Sequence, residues 1–352
     1  MSHVIRLPGM MDMHVHLREP GLSYKEDWRT GTSAAVAGGV VAVVDMPNTN
    51  PPTITADALT EKEHIAHEKA FCDYGFYFGS DGNNIGEFNR VYDRVCGLKI
   101  YLDETTGSLL IQDEEKLEAI FKAWPRGKPI LVHAEGEPLE YLIALAEKNY
   151  QKLHCCHIAT KCDIEAITQA KRKGISLTCE VTPHHLFLTK EDAARLGAFA
   201  MMKPELGTEE DQQALWAHIK KGTVDCIATD HAPHTKQEKE SSCPPMGVPG
   251  LETALPLLCT AAEEGKLTHD DIIRLTNTNP CRILGIRPAG QTYVEVETDV
   301  YYQLDETKLK TKCGWSPFTG ITLNARVVRT VIRGVEVYNN GKITGKGGVG
   351  KI

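Results

Sequence analysis

The strongest constraint on the fold is one unit repeated along the chain: a short apolar run followed by an amphipathic stretch. The clearest run is Val40-Val41-Ala42-Val43-Val44-Asp45-Met46, which is continuous rather than alternating. A strand of this kind is covered on both faces, as in parallel sheets flanked by helices. Comparable strands are predicted at 10–16, 40–46, 72–79, 97–102, 129–135, 154–159, 176–181 and 225–230. Between and after them helices are predicted at 26–37, 56–69, 85–95, 114–124, 139–148, 163–173, 191–196, 209–221 and 251–264, the first stopped by Gly38-Gly39. A last helix is expected to end at Asn279-Pro280. Eight interior-grade strands separated by helices predict an α/β fold, a (β/α)8 TIM-type barrel. An open doubly wound sheet is the alternative, and no Gly-x-Gly-x-x-Gly turn follows the first strand to support it. After about residue 286 the pattern turns to strands, at 293–296, 327–333 and 335–338. With residues 4–7 these predict a small β appendage. The expected division is a barrel at 10–285 and a β subdomain made of 1–9 with 286–352.

The length, 352 residues, suits one large barrel or two ordinary domains. A net charge of −8 argues against nucleic acid as a partner, because phosphate binding needs a basic face. No apolar run has the length of a membrane span, and the first residues lack a signal-peptide profile. The 11 cysteines are odd in number, and Cys72, Cys155, Cys156, Cys179 and Cys226 fall inside strand-like runs. They do not read as a disulfide framework, so a reducing, cytoplasmic setting is expected.

The chemistry concentrates at predicted strand ends, where barrels of this kind carry their active sites. His14 and His16 lie one residue apart on the first strand, so both imidazoles face one spot and suit a borderline metal such as zinc. Arg18 follows on the same parity, as a guanidinium for a substrate carboxylate. Later strand ends add Lys99, His133, His157, Glu180 and Asp230, with His184, His185, His231 and His234 just beyond. A lone buried histidine is usually a core residue, but ligand-type residues at five or more strand ends need another explanation. Lys99 sits in an apolar strand where an unpaired ammonium is costly. Two remedies are a salt bridge to Asp103 or Glu104, and carboxylation to an anionic carbamate that can bridge two divalent metals about 3.5–4 Å apart.

These residues fall in motifs that together resemble the dihydroorotases of the amidohydrolase superfamily, most of all the type fused into the multifunctional pyrimidine-synthesis protein of animals. The motifs are Asp12-Met13-His14-Val15-His16-Leu17-Arg18-Glu19-Pro20-Gly21, Asp45-Met46-Pro47-Asn48-Thr49, Gly97-Leu98-Lys99-Ile100-Tyr101, Val132-His133-Ala134-Glu135, His154-Cys155-Cys156-His157-Ile158-Ala159, Cys179-Glu180-Val181-Thr182-Pro183-His184-His185-Leu186, Ala228-Thr229-Asp230-His231-Ala232-Pro233-His234-Thr235 and Gly250-Leu251-Glu252-Thr253. The resemblance implies the reversible cyclisation of N-carbamoyl-L-aspartate to L-dihydroorotate, a step of de novo pyrimidine biosynthesis. It implies one zinc on His14, His16, Lys99 and Asp230, and a second on His133, His157 and the same Lys99, as N6-carboxylysine. A hydroxide would bridge the ions and Asp230 would act as general acid and base. The family's substrate contacts fall on Arg18, Asn48 and His234, with further contacts expected at Lys203, Thr105, Thr106, Pro249 and Gly250. Apart from the resemblance, Cys156 and Glu180 lie at strand ends near His133, which points to a third metal on Cys156, Glu180 and the far nitrogen of His133; the alternative is a simply buried Cys156 with Glu180 paired to a local cation. The resemblance also implies a homodimer and contact with other pyrimidine-pathway enzymes.

The chain departs from the animal pattern at two places. Lys203 stands where an arginine precedes the Pro204-Glu205-Leu206-Gly207 stretch, which keeps the charge and loses the planar fork. Thr106 stands at the tip of the expected lid, residues 103–108, where the animal type has an aromatic. The competing readings are another cyclic amidase, such as a hydantoinase, dihydropyrimidinase or allantoinase, and a non-catalytic scaffold barrel. The carboxylate-type contacts at Arg18 and His234 speak against the first, and the complete ligand set against the second.

Overall fold

The computed structural model describes residues 3–103, 107, 109–286, 289–345 and 350–352. The expected lid positions Thr105 and Thr106 lie outside the described residues. Thirteen strands fall into two sheets in chain order: β1 (His3–Leu7), β2 (Met10–Val15), β3 (Val40–Asp45), β4 (Asp73–Gly79), β5 (Gly97–Tyr101), β6 (Ile130–His133), β7 (Leu153–Cys155), β8 (Leu177–Val181), β9 (Cys226–Ile227), β10 (Tyr293–Gln303), β11 (Thr322–Ile332), β12 (Val335–Asn339) and β13 (Lys342–Ile343). A short last strand, β14 (Gly350–Lys351), runs parallel to β4.

Strands β2 to β9 pair side by side in sequence order, all parallel. A parallel bridge between Val15 and His231 closes the ring, with His16 N donating to His231 O at 2.8 Å. This is the predicted barrel. Its strands are buried almost throughout, as the unbroken apolar runs require. Outside them pack helices such as Trp28–Ala37 and Lys161–Arg172. The first begins at an Asp27 cap that accepts Thr30 N, two residues later than its apolar periodicity suggests.

The predicted strands at 154–159 and 225–230 are shortened to Leu153–Cys155 and Cys226–Ile227. Their ends turn instead: His157 has φ 35° and Asp230 φ 45°, outside the extended region of a regular strand. The expected stop at Asn279-Pro280 is corrected. Pro280 sits in the first turn of a helix, Asn279–Leu284, which ends at a left-handed Gly285. Strands β1, β10, β11, β12 and β13 form the antiparallel appendage expected from the two ends of the sequence. No described helix is long and apolar enough to cross a membrane. All 11 cysteines are free thiols.

Candidate metal centre and active-site cavity

The C-terminal ends of the barrel strands open into a cavity of about 280 Å³. His14, His16, Arg18, Asn48, Tyr101, His133, His157, Lys203 and Asp230 line it, with Ala232 and residues 244–247 as the opposite wall. Eight of the residues expected at the site from sequence, Lys203 among them, therefore meet here. Three of them, Arg18 (φ 62°), His157 and Asp230, hold left-handed backbone without being glycine. Such strain persists only where the surroundings impose it, and it gathers at functional sites.

Asp230 is the hub. Its Oδ1 lies 3.0 Å from His16 Nε2 and 3.3 Å from His14 Nε2. Burial would raise its pKa, but His14 and His16 outweigh burial and hold the carboxyl well below the ordinary range. Across the cavity His133 Nδ1 meets His157 Nε2 at 2.7 Å. The remaining ring nitrogens, His133 Nε2 and His157 Nδ1, are buried without a hydrogen-bond partner. Burial and the Lys99 charge lower His133 to about 3, and burial lowers His16 to about 4. These imidazoles are neutral and ready to ligate. The donor atoms of His14, His157 and Asp230 lie within 4.8 Å of one another, a spacing one divalent ion can span. Orphaned buried nitrogens beside a carboxylate fit a metal centre.

The second layer fixes the rings. His16 Nδ1 donates to Asn48 Oδ1 at 2.8 Å, which leaves Nε2 facing Asp230. His14 Nδ1 contacts Glu180 Oε1, and Glu180 Oε2 meets His154 Nε2 at 3.1 Å. His154 Nδ1 ends the chain on Thr178 Oγ1 at 2.8 Å. Burial alone would lower His14, yet Glu180 and Asp230 raise it to about 10. A ligating histidine whose far nitrogen is held by a carboxylate has a fixed tautomer and direction.

Lys99 is fully buried on β5, with Nζ 3.0 Å from Cys156 Sγ and 5.0 Å from the Tyr101 ring centre. No described carboxylate forms an ion pair with it, so a salt bridge to Asp103 is not found, and Glu104 lies outside the described residues. The expected third-ion grouping is not the one assembled. Cys156 and Glu180 come within 4.8 Å of a nitrogen of His14, while His133 turns to His157 instead.

Arg18 is 2% exposed. Its Nε donates to Pro233 O at 3.1 Å, and Nη2 lies 3.1 Å from His234 Nε2. Among the described residues no carboxylate pairs with its guanidinium. His234 does not line the cavity, contrary to the expected substrate contact. Lys25 Nζ donates to its Nδ1 at 3.0 Å, so Nε2–H is left to Met246 O at 2.9 Å. Burial, with Arg18 and Lys25 close by, holds this imidazole neutral. Pro249 and Gly250 also lie away from the cavity, because Gly250 N is turned to His231 Nδ1 at 3.1 Å. His185 is spent on Pro204 O at 3.1 Å, beside Lys203.

Sequence reasoning missed Tyr101, His154 and the wall at 244–247. Tyr101 was within reach, since it shares Lys99's parity on one strand. Its hydroxyl is buried without a partner.

The sequence profile of the amidohydrolase family matches residues 5–337. The chain is 42% identical to the multifunctional protein pyr1-3 of Dictyostelium discoideum and 41% to the multifunctional protein CAD of Squalus acanthias. Both matches take in 99% of this chain and only 16% of the relative, so the chain spans a small part of those proteins. It is 36% identical to the dihydroorotase of Pyrococcus furiosus, over 97% of this chain and 83% of that one. Among solved structures, the L-hydantoinase (dihydropyrimidinase) of Arthrobacter aurescens superimposes with a TM-score of 0.94 at 24% identity, covering 98% of this chain and 88% of that one. An inactive dihydroorotase-like domain of the Chaetomium thermophilum CAD-like multifunctional protein does so at 0.84 and 27%, covering 99% of each.

Proposed function

Because the chain belongs to the amidohydrolase family, and within it to the dihydroorotases, we propose that it interconverts N-carbamoyl-L-aspartate and L-dihydroorotate in pyrimidine biosynthesis. The observation that carries the substrate class is Arg18, a buried guanidinium in the cavity with no described carboxylate paired to it. A buried charge without a partner is costly, and a ligand carboxylate relieves that cost. A neutral ring of the hydantoin or dihydropyrimidine class offers Arg18 nothing. Asn48 and Lys203 line the same cavity and complete the anion-facing side.

Two zinc ions would be held by His14, His16 and Asp230, and by His133 and His157, with Lys99 between them as a carbamate. Carboxylation would begin with loss of one proton from the ammonium, and addition of carbon dioxide to the amine would release a second, so that a buried cation without a counter-charge becomes a shared anionic ligand. Were a third ion bound, Cys156, Glu180 and His14 would hold it in place of the Glu180–His14 contact. When bound, the zinc pair supplies Lewis acidity toward the ring carbonyl and lowers the pKa of water. In hydrolysis Asp230 takes the proton of the attacking water and delivers it to the ring nitrogen that leaves. In ring closure Asp230 removes the ureido proton instead. Arg18 and Asn48 fix the substrate carboxylate, so the reacting amide meets Asp230 in one orientation.

This reading carries with it a cytoplasmic setting, a homodimer and association with other pyrimidine-pathway enzymes. Eleven free thiols support the first. The reaction is tested by following conversion of L-dihydroorotate to N-carbamoyl-L-aspartate with zinc-loaded protein. Turnover by the wild type that is lost in Asp230→Asn supports it. Absence of turnover with zinc bound overturns it, and places the chain with the inactive relative.

A further inference from the structure

Lys239 is fully buried, and no described carboxylate pairs with its ammonium. Its three N–H groups go to three carbonyls: Met201 O at 3.0 Å, Pro245 O at 2.9 Å and Gly247 O at 3.1 Å. The ammonium also stands 5.6 Å from the Trp315 ring centre. Burial and the nearby Arg18 charge lower its pKa from the usual lysine value to about 8. A group kept buried at that cost, with two of its three bonds on the carbonyls of one loop and the third on Met201 O, is there to hold that loop.

The loop is the cavity wall. The middle carbonyl, Met246 O, is taken by His234 Nε2 at 2.9 Å. Three successive carbonyls are therefore drawn to Lys239 and His234, neither of which lines the cavity. Gly247 N also binds Met201 O at 2.9 Å. Gly247 has φ +134°, and a Cβ there would stand 2.5 Å from Ala232 O, so the wall lies directly on the segment that follows Asp230. Carbonyl oxygens carry partial negative charge. Turned inward, they would face the carboxylate that Arg18 awaits.

We propose that Lys239 is a positioning residue for the anionic substrate: it pins the wall at 244–247 and keeps its carbonyl oxygens out of the cavity. This rests on the dihydroorotase reading above. Loss of the ammonium lets the wall move and its oxygens swing inward. Substrate affinity then falls, while Asp230 and the zinc ligands stay in place.

The test combines steady-state kinetics with hydrogen exchange by mass spectrometry on zinc-loaded Lys239→Met and Lys239→Arg. The expected result for Lys239→Met is a KM for L-dihydroorotate raised about tenfold with kcat within about threefold. Faster exchange should appear in the peptide covering 244–248, with barrel-strand peptides unchanged. Lys239→Arg, which keeps the charge and the donors, should recover at least part of the KM. An unchanged KM, or a fall in kcat alone, overturns the proposal. If Lys239→Met does not fold, Lys239→Gln is read by the same criteria. If the wild type itself does not turn over dihydroorotate, the assigned reaction fails, and exchange at 244–248 still decides whether Lys239 holds the wall.

Discussion

Lys62 and Asp45 form an ion pair with both side chains fully buried, Nζ to Oδ2 at 2.5 Å, at the end of β3. The other Asp45 oxygen accepts Leu17 N at 2.7 Å, and Lys62 also donates to Met46 O at 2.7 Å. Leu17 stands between His16 and Arg18. The pair thus holds the turn that carries a proposed ligand and a proposed substrate contact. Breaking a buried pair on one side leaves an uncompensated charge, at about 3–5 kcal/mol. Lys62→Met should lose about that much in denaturant unfolding, and the double variant Lys62→Met with Asp45→Asn should recover part of it. A single-variant loss below about 1 kcal/mol would show that the pair is not the anchor described here.

Glu180 should govern zinc retention through His14. Replacing a carboxylate that orients a ligating histidine typically weakens metal affinity 10–100-fold. Glu180→Gln should show a drop of that order in competition with a chelator, at unchanged barrel content by circular dichroism. Metal content of the wild type separates two roles of this carboxylate. Two zinc ions per chain fit an orienting role; three place Glu180 on the third ion with Cys156 and His14.

Removing the metal should abolish turnover, and added zinc should restore it. In metal-free protein the Glu180 and Asp230 carboxylates hold a proton on His14, with its pKa raised to about 10. Zinc must displace that proton, so apparent zinc affinity should fall as pH falls from 8 to 6. Isothermal titration in two buffers of different ionisation enthalpy measures the release. Zinc binding without proton release would contradict the assignment of His14 as a ligand.

Glu252 gives stability a pH dependence outside the metal centre. Burial raises its pKa from 4.5 to about 7, against the pull of the Lys310 and Thr311 amides that it accepts. A carboxyl with a raised folded-state pKa favours the folded state fully below 4.5, and that contribution is lost as pH rises through 7. Glu252→Gln cannot ionise and keeps an acceptor for the amides. Its melting temperature relative to wild type should therefore be higher at pH 8 than at pH 5. A difference independent of pH would contradict this.

The barrel was legible in the sequence because parallel strands buried on both faces write themselves as unbroken apolar runs, and residues 40–46 do so most plainly. The inward histidines were legible because strand parity places His14 beside His16. Turns beyond the strands were harder to read. The resemblance puts a substrate contact on His234, but Lys25 fixes its tautomer and turns its proton to Met246, and Lys25 lies 209 residues away in sequence. Pro249 and Gly250 were misplaced by a few residues for a similar reason: the wall at 244–247 is set by Lys239 and His234, which no periodicity reveals. The grouping of Glu180 with His14 rather than His133 depends on side-chain directions across the barrel interior, and one-dimensional spacing does not encode them.

The most direct test of the central claim is a side-by-side rate assay of zinc-loaded protein on L-dihydroorotate and 5,6-dihydrouracil, the same ring without the carboxylate, repeated with Arg18→Met. Turnover of dihydroorotate alone is expected, with at least a hundredfold loss of kcat/KM in the variant, the scale of about 3 kcal/mol for a buried charge-assisted pair. Comparable turnover of both rings by the wild type, or an Arg18→Met variant that keeps its rate on dihydroorotate, would contradict it.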